Sequence, residues 1–454
     1  MKINAAPHSV VLLFVFLAIT QFSVAGEDKP KYATVTNAQA VEMLDAIEKD
    51  IKDNYYDPKL HGFDLKAKFD ETRIKIATAQ SQDEAFLMIA AAVNALNDSH
   101  TRFEPPTRPY TVEYGFITEA VGDSACYIKA VLAGSDAEAQ GLKPGDQIVS
   151  INGVPLLREN LNSVEFAYRV FPQSGFHLVV RSTDGPQRAL TVRAQVTPGQ
   201  KMISGFDLTY WLKTHRSYDE WKKFYNMDNQ SRTFDVDKKV LFWQLNSFTV
   251  DPRDLEEQAD KARNYPFVVL DLRGNHGGFA VAVEDLLDEF SDHQSTVWTV
   301  QTRKESKPKI VKGRGKRAVD GKLIVLIDAE SASAAELFAR TVQLQKRGTI
   351  LGDRSSGQVM EAESFRHAVY ITGRDVTQYG VEISMANAIM PDGKSLEGVG
   401  VTPDERILPT PADLAAHRDP VLARAAALAG VEMSPERAGT LFPFKWPEKP
   451  HEMK

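Results

Sequence analysis

The sequence predicts a multidomain α/β protein: a helical N-terminal part, a small β module, and a mixed β-sheet core flanked by helices. Three observations lead there. Up to about residue 106, apolar residues recur at three- and four-residue spacing, as on helices packed by one face. A glycine-punctuated set of short apolar strands follows, to about residue 198. Beyond it, unbroken apolar runs rich in branched residues alternate with amphipathic helices, the pattern of a covered sheet. With 454 residues the chain has room for roughly two to four domains. Its hydrophobic content of 43% and charged content of 25% are ordinary for a folded protein. A formal net charge of −7 argues against nucleic acid as a main partner.

Residues 1–25 read as a cleavable export leader, with Lys2, an apolar core Val10–Ala18, and small residues Ser23 and Ala25 before Gly26-Glu27-Asp28. The apolar core is too short to span a bilayer comfortably, so no membrane span is expected after cleavage; an uncleaved anchor is the alternative. The expected location is periplasmic or secreted. No cysteine follows the cleavage position, which argues against a lipid anchor. Cys126 is the single cysteine, so an intrachain disulfide is excluded.

Residues 26–107 form the helical part. Val41, Leu44, Ile47 and Ile51 make one stripe. Ser81-Gln82-Asp83-Glu84 is a capping box opening a second helix along Phe86, Ile89, Val93 and Leu96. That helix stops at Leu96-Asn97-Asp98-Ser99-His100-Thr101-Arg102-Phe103, and Pro105-Pro106 forbid its return. Residues 108–198 form the β module, with Tyr114-Gly115-Phe116-Ile117, a strand Ala125–Val131, and a Leu142-Lys143-Pro144-Gly145-Asp146 turn into a further strand. A glycine turn beside an open strand edge offers free N–H groups that suit a peptide carboxylate; a small β module without a ligand is the bland reading.

Residues 199–410 form the core. The polar connection Met202–Val236, with Trp211, Tyr218, Trp221 and Phe224, carries no assigned role. Strand Val240–Leu245, helix Arg253–Arg263 and strand Phe267–Leu272 lead to the glycine loop Asp271-Leu272-Arg273-Gly274-Asn275-His276-Gly277-Gly278-Phe279. The basic stretch Ser295–Val319, with Arg303, Lys304, Lys307, Lys309, Lys312, Arg314, Lys316 and Arg317, is aromatic-poor and reads as a solvated hairpin. Strand Leu323–Ile327 then turns through Ala329-Glu330-Ser331-Ala332-Ser333 into a helix from about Ala334 to Lys346. Leu337, Phe338, Thr341 and Val342 share its buried face, Lys346 and Arg347 close it, and Gly348 is expected as its left-handed cap. Ser333 thus stands where a buried strand becomes a helix, among free N–H groups that can stabilise an oxyanion; a plain N-cap is the alternative. Residues 411–454 hold an alanine-rich helix, about Pro411–Gly430, and an extended tail.

Ser331-Ala332-Ser333-Ala334-Ala335-Glu336 resembles the SASASE nucleophile segment of the carboxy-terminal processing (tail-specific) serine proteases. The Leu-Lys-Pro-Gly-Asp turn with Ile151-Asn152-Gly153 resembles a bacterial PDZ domain. The glycine loop resembles that family's DLRxNxGG, and Leu396–Asp404 its IEGxGVxPD closing strand. The resemblance covers roughly residues 80–410 with all motifs in family order. It implies a PDZ-bearing serine peptidase with Ser333 as nucleophile and Ala334 with Gly277 or Gly278 as oxyanion donors. Gly115, Phe116 and Ile117 become the carboxylate-binding loop. The implied partner is a peptide or protein substrate captured by its C-terminus.

One residue departs from that family. Its dyad lysine lies 25 positions after the nucleophile, and here that position is Gln358, whose amide cannot take a proton from serine. A sister branch that includes the tricorn protease also lacks the lysine. It uses the histidine of a Ser-His pair, assisted by a glutamate of the closing strand. The matching residues are Ser99-His100 and Glu397, with His276 and His367 as competing histidines and Ser331 as the next candidate nucleophile. No cofactor is implied and no metal is expected, since no HExxH-like spacing occurs. Two rivals keep the same architecture without the chemistry: a non-catalytic PDZ adaptor, and a carrier of a small apolar ligand.

Overall fold

The computed structural model describes residues 34–183, 185–198, 230–372 and 375–446. The proposed leader and residues 202–229 of the Met202–Val236 connection lie outside the described residues.

Three helices build the N-terminal part: α1 (Asn37–Asn54), α2 (Leu65–Ile76) and α3 (Gln82–Asn94). The α1 stripe buries Met43, Leu44, Ile47 and Ile51. Ser81 caps α3 by accepting the Glu84 N–H at 3.1 Å. Asn97, at φ 58°, turns the chain off the helix axis, and β1 (Arg102–Glu104) follows at once.

Strands β2 (Tyr110–Glu113) and β9 (Gln195–Pro198) pair antiparallel as a stalk where the chain enters and leaves the β module. Between them lie β3 (Phe116–Val121), β4 (Ala125–Val131), short α4 (Asp136–Ala139), β5 (Gln147–Ile151), β6 (Val154–Pro155), α5 (Leu161–Val170), β7 (Gly175–Arg181) and β8 (Gln187–Arg193). The sheet order β3-β4-β5-β7-β8 leaves β3 on an edge.

The core sheet runs β10 (Ser231–Val236), β11 (Val240–Leu245), β12 (Phe267–Asp271), β15 (Lys322–Ile327), β16 (Gly348–Gly352) and β19 (Glu405–Arg406). All neighbours but β10–β11 are parallel. Helices α6 (Pro252–Ala262), α7 (Ala280–Phe290) and α8 (Ala334–Leu344) cross over between its strands. Trp243, Phe248, Leu286, Phe290 and Phe338 fill one face. On the other face, Phe242, Val269 and Leu326 meet a C-terminal helix described below. A second sheet orders β1-β18-β13-β14 and adds β17, through the hairpins β13 (Ser295–Thr302)/β14 (Ser306–Val311) and β17 (Met360–Thr372)/β18 (Asp375–Ile389).

Five expectations are corrected. The basic hairpin is not wholly solvated: Val297, Trp298, Val300 and Val311 are buried, because β13 continues the second sheet. Gly348 is not the helix cap. Lys346 takes the left-handed conformation at φ 54°, and the Arg347 N–H closes on the Val342 carbonyl at 3.0 Å. Gly348 lies in β16, where an added Cβ would stand 2.6 Å from the Leu323 carbonyl oxygen. Leu396–Asp404 is a glycine turn rather than a strand, with Gly398 at φ 70° and Gly400 at φ 76°; pairing begins only at Glu405. The C-terminal helix is broken into α9 (Pro411–Ala415) and α10 (Pro420–Leu428), because Pro420 has no N–H to continue the ladder and Asp419 caps the new start. A further short helix, α11 (Pro435–Gly439), interrupts the tail expected to be extended.

The β module is fixed to the core. Arg158, just before α5, donates to Asp353 Oδ2 at 2.6 Å and to the Ser355 carbonyl at 3.2 Å, and also bonds the Arg354 carbonyl. The Gly122 N–H reaches the same Asp353 oxygen at 2.8 Å. Side chains of Arg158 and Asp353 are only 7% and 5% exposed. A second tie joins Lys129 of β4 to Glu330, three residues before Ser333, at 2.7 Å. Burial alone would depress the Lys129 ammonium, but Glu330 and Glu119 hold it above its ordinary range.

Candidate active site

Three loops leave the C-terminal ends of the adjacent parallel strands β12, β15 and β16, the edge where open α/β sheets hold ligands. They carry the glycine loop, the Ser333 turn and the Gln358 segment. Asp328 ties the first two together, accepting from the Gly274 N–H at 3.0 Å and from the Glu330 and Ser331 N–H groups at 3.0 Å each. The Ala332 N–H adds a bond to the Asn275 carbonyl at 2.9 Å. Ser331 is fully buried and its hydroxyl donates to the Leu272 carbonyl at 2.8 Å, so it is a structural residue of the turn.

Ser333 does not have the backbone of a plain cap. Ser81 and Ser135 cap their helices from extended conformations, each accepting the N–H three residues on. Ser333 instead sits at φ 53°, ψ −115°, a region L-residues rarely occupy, at a cost of order 1–3 kcal/mol. Gly277 lies directly against it, since a Cβ there would meet Ser333 Cβ at 2.7 Å and the Ala334 nitrogen at 3.2 Å. The Gly277 N–H is already given to Asn275 Oδ1 at 2.9 Å, and Gly278 packs against the Phe248–Thr249 backbone.

Ser99, His100 and Glu397 come together. The Ser99 hydroxyl lies 2.7 Å from His100 Nδ1 and donates to Glu397 Oε2 at 2.9 Å, and the Ser99 N–H donates to Glu397 Oε1 at 2.8 Å. Because that hydroxyl proton is spent on the carboxylate, Oγ is the acceptor for Nδ1–H, and Nε2 keeps its lone pair. Burial lowers the His100 pKa below the ordinary imidazole value, which favours the neutral ring. Asp98 sets the loop, with Oδ1 accepting from the His100 N–H, the Thr101 N–H and the Ser384 hydroxyl at 3.0, 2.7 and 2.7 Å. Among the described residues no hydrogen bond joins His100 to Ser333; in unliganded enzymes such contacts often close only with substrate.

The Gln358 segment links the serine to this relay. Its N–H donates to Glu336 Oε2 at 2.9 Å, the oxygen that also takes the Ser333 N–H at 3.0 Å. The next N–H, of Val359, donates to Glu397 Oε2 at 2.8 Å. Glu336 is 0% exposed, and burial pushes its pKa up to about 7 against the pull of its donors. Sequence reasoning missed Glu336, Asp328 and Asp98. The first passes for a capping-box acid, and the other two look like turn residues.

Of the competing histidines, one is engaged elsewhere and the other is exposed beside the site. His367 Nε2 lies 2.6 Å from Asp50 of α1 and its ring stacks on Tyr379, which removes it from the core site. His276 is exposed in the glycine loop. At the β module, Gly115 has φ 74°, and an added Cβ would stand 2.4 Å from Ser135 Cβ. Phe116 and Ile117 begin the edge strand β3, and Thr118 donates to Glu165 of α5 at 2.6 Å. Among the described residues no group of three or more His, Cys, Asp or Glu is placed to hold a metal ion, and no helix is long and apolar enough to cross a membrane.

The sequence matches peptidase family S41 over residues 239–407, the PDZ domain over 112–165, and the tricorn protease C1 domain over 37–94. It is 25% identical over 289 residues to a carboxyl-terminal-processing protease of Synechocystis, covering 61% of this chain and 58% of that protein. It is also 25% identical over 348 residues to the chloroplastic carboxyl-terminal-processing peptidase 1 of Arabidopsis thaliana, covering 73% of this chain and 64% of that one. The chain therefore spans about three fifths of the length of these relatives. Mature CPAF, solved in complex with lactacystin, shares the fold with a TM-score of 0.59 at 15% identity, over 84% of this chain and 95% of that one. With PDZ and S41 matches in this order, the chain is similar to the carboxy-terminal processing proteases.

Proposed function

We propose that the chain is an exported serine endopeptidase in which Ser333 attacks the peptide carbonyl and His100 is the base. The observation that carries this reading is the Ser99 hydroxyl standing between His100 Nδ1 and Glu397. With Nδ1 carrying the proton, Nε2 accepts the Ser333 proton as the Oγ–C bond forms. Glu397, through Ser99, then stabilises the imidazolium. The tetrahedral oxyanion is met by the N–H groups of Ala334 and Gly278. His100 returns its proton to the leaving amine, and water resolves the acyl-enzyme by the same steps in reverse order. No lysine is needed, which agrees with glutamine at position 358. Export rests on the leader at residues 1–25.

The edge strand β3 and the glycine turn Gly115-Phe116-Ile117 suit strand addition by a substrate C-terminus, with its carboxylate on the turn N–H groups. A fluorophosphonate probe tests the nucleophile. Labelling mapped to Ser333 is expected on the full-length protein and is lost in Ser333→Ala. An unlabelled wild type would instead support a peptide-binding protein without turnover.

A further inference from the structure

We infer that Glu336 is a positioning residue for catalysis, an inference that rests on Ser333 being the nucleophile. A glutamate three residues after a helix-starting serine is ordinarily a capping partner at the helix end. Glu336 makes that capping bond to the Ser333 N–H, but it is also fully buried and accepts from four donors on two segments. Oε2 takes the N–H groups of Ser333 and Gln358 at 3.0 and 2.9 Å. Oε1 takes the Gly357 N–H at 2.7 Å and the Ser355 hydroxyl at 2.5 Å. Ser355 Oγ is itself the acceptor for the Val401 N–H at 2.6 Å, which directs its own proton to Glu336.

Four donors and no acceptor suit a carboxylate. Glutamine has the same shape, but its NH2 would face two of those donors whichever way the amide is turned. The bond to the Ser333 N–H holds a residue whose φ and ψ are unfavourable by themselves. It thereby fixes where the hydroxyl stands relative to the Ala334 N–H. The bonds to Gly357 and Gln358 fix the segment whose next N–H holds Glu397. Glu336 touches no reacting atom in this scheme. It sets the nucleophile and the base relay against one another, so its loss slows chemistry more than substrate binding.

The test compares full-length wild type, Glu336→Gln and Ser355→Ala. The readouts are the rate of fluorophosphonate labelling at Ser333, and kcat and KM on one peptide. Glu336→Gln is expected to lower labelling rate and kcat together by roughly ten- to a hundredfold, with KM within about twofold. Ser355→Ala, which removes one donor and leaves the carboxylate in place, is expected to fall in the same direction by a smaller factor. Labelling of Glu336→Gln within about threefold of wild type overturns the inference, as does a raised KM at unchanged kcat. If Glu336→Gln does not fold, Ser355→Ala decides, and an unaltered labelling rate overturns it. Wild type that fails to label at Ser333 overturns the nucleophile reading itself, and this role with it.

Discussion

Glu336 and Glu397 are held by consecutive peptide groups. The Gln358 N–H binds the first at 2.9 Å and the Val359 N–H binds the second at 2.8 Å. One glutamate supports the serine and the other supports the histidine. In the proposed mechanism, a two-residue length of backbone therefore joins the supports of nucleophile and base. In the lysine-dependent relatives that same position supplies the base itself. Here its main chain does the positioning while its side chain is an amide.

The pH dependence follows from burial of His100. An ordinary histidine titrates near 6.5, and desolvation holds His100 lower. The base must be neutral, so its contribution is lost as pH falls through this lowered pKa, while protonation of Glu336, whose pKa burial pushes up to about 7, adds a partial decline from near neutrality. The acid limb of kcat/KM that belongs to His100 is therefore expected below about pH 6.5, beneath that earlier decline. A limb centred in the alkaline range, as for a lysine base, would contradict the assignment.

Glu397→Gln tests the relay. The amide keeps the shape but loses the charge that supports imidazolium and an acceptor for the Ser99 and Val359 donors. Activity is expected to fall by more than in Gln358→Ala and by less than in His100→Ala. Wild-type kcat in this variant would remove Glu397 from the relay.

Arg158 supports the fold rather than the chemistry. Its removal leaves the buried Asp353 carboxylate to Arg406 and two backbone N–H groups, at a cost of about 1–3 kcal/mol. Urea denaturation of Arg158→Ala should show that loss. A change under about 1 kcal/mol would mean that this clamp is not what seats the β module.

Much of this arrangement was legible in the sequence, for local reasons. The apolar run Leu323–Ile327 is unbroken, so it marks a buried strand, and it is one as β15. Gly277 stands where close approach to Ser333 forbids a side chain, and Gly278 where the Phe248–Thr249 backbone does. Ser99, His100 and Glu397 were gathered only by resemblance, because 298 residues separate Ser99 from Glu397. Glu336 was invisible for another reason. A first-turn acid looks the same in sequence whether it faces water or accepts from a second segment. The Arg158–Asp353 pair, 195 residues apart, leaves no periodic trace at all. Gly348 misled because a glycine after a helix usually caps it, whereas here the crowding comes from the neighbouring strand.

Capture of a C-terminus at Gly115–Ile117 predicts dependence on a free carboxylate. Amidating the C-terminus of a cleaved peptide should raise KM with kcat little changed. Equal kinetics for acid and amide would exclude recruitment through this turn.

The central claim, that His100 rather than position 358 supplies the base, is tested most directly by kcat/KM of His100→Ala and Gln358→Ala on one substrate. The expected result is a loss of roughly a thousandfold or more for His100→Ala, the scale of a missing triad member. Gln358→Ala should stay far closer to wild type, since its main-chain N–H to Glu336 survives the substitution. A His100→Ala enzyme near wild-type activity would contradict the account and turn attention to His276.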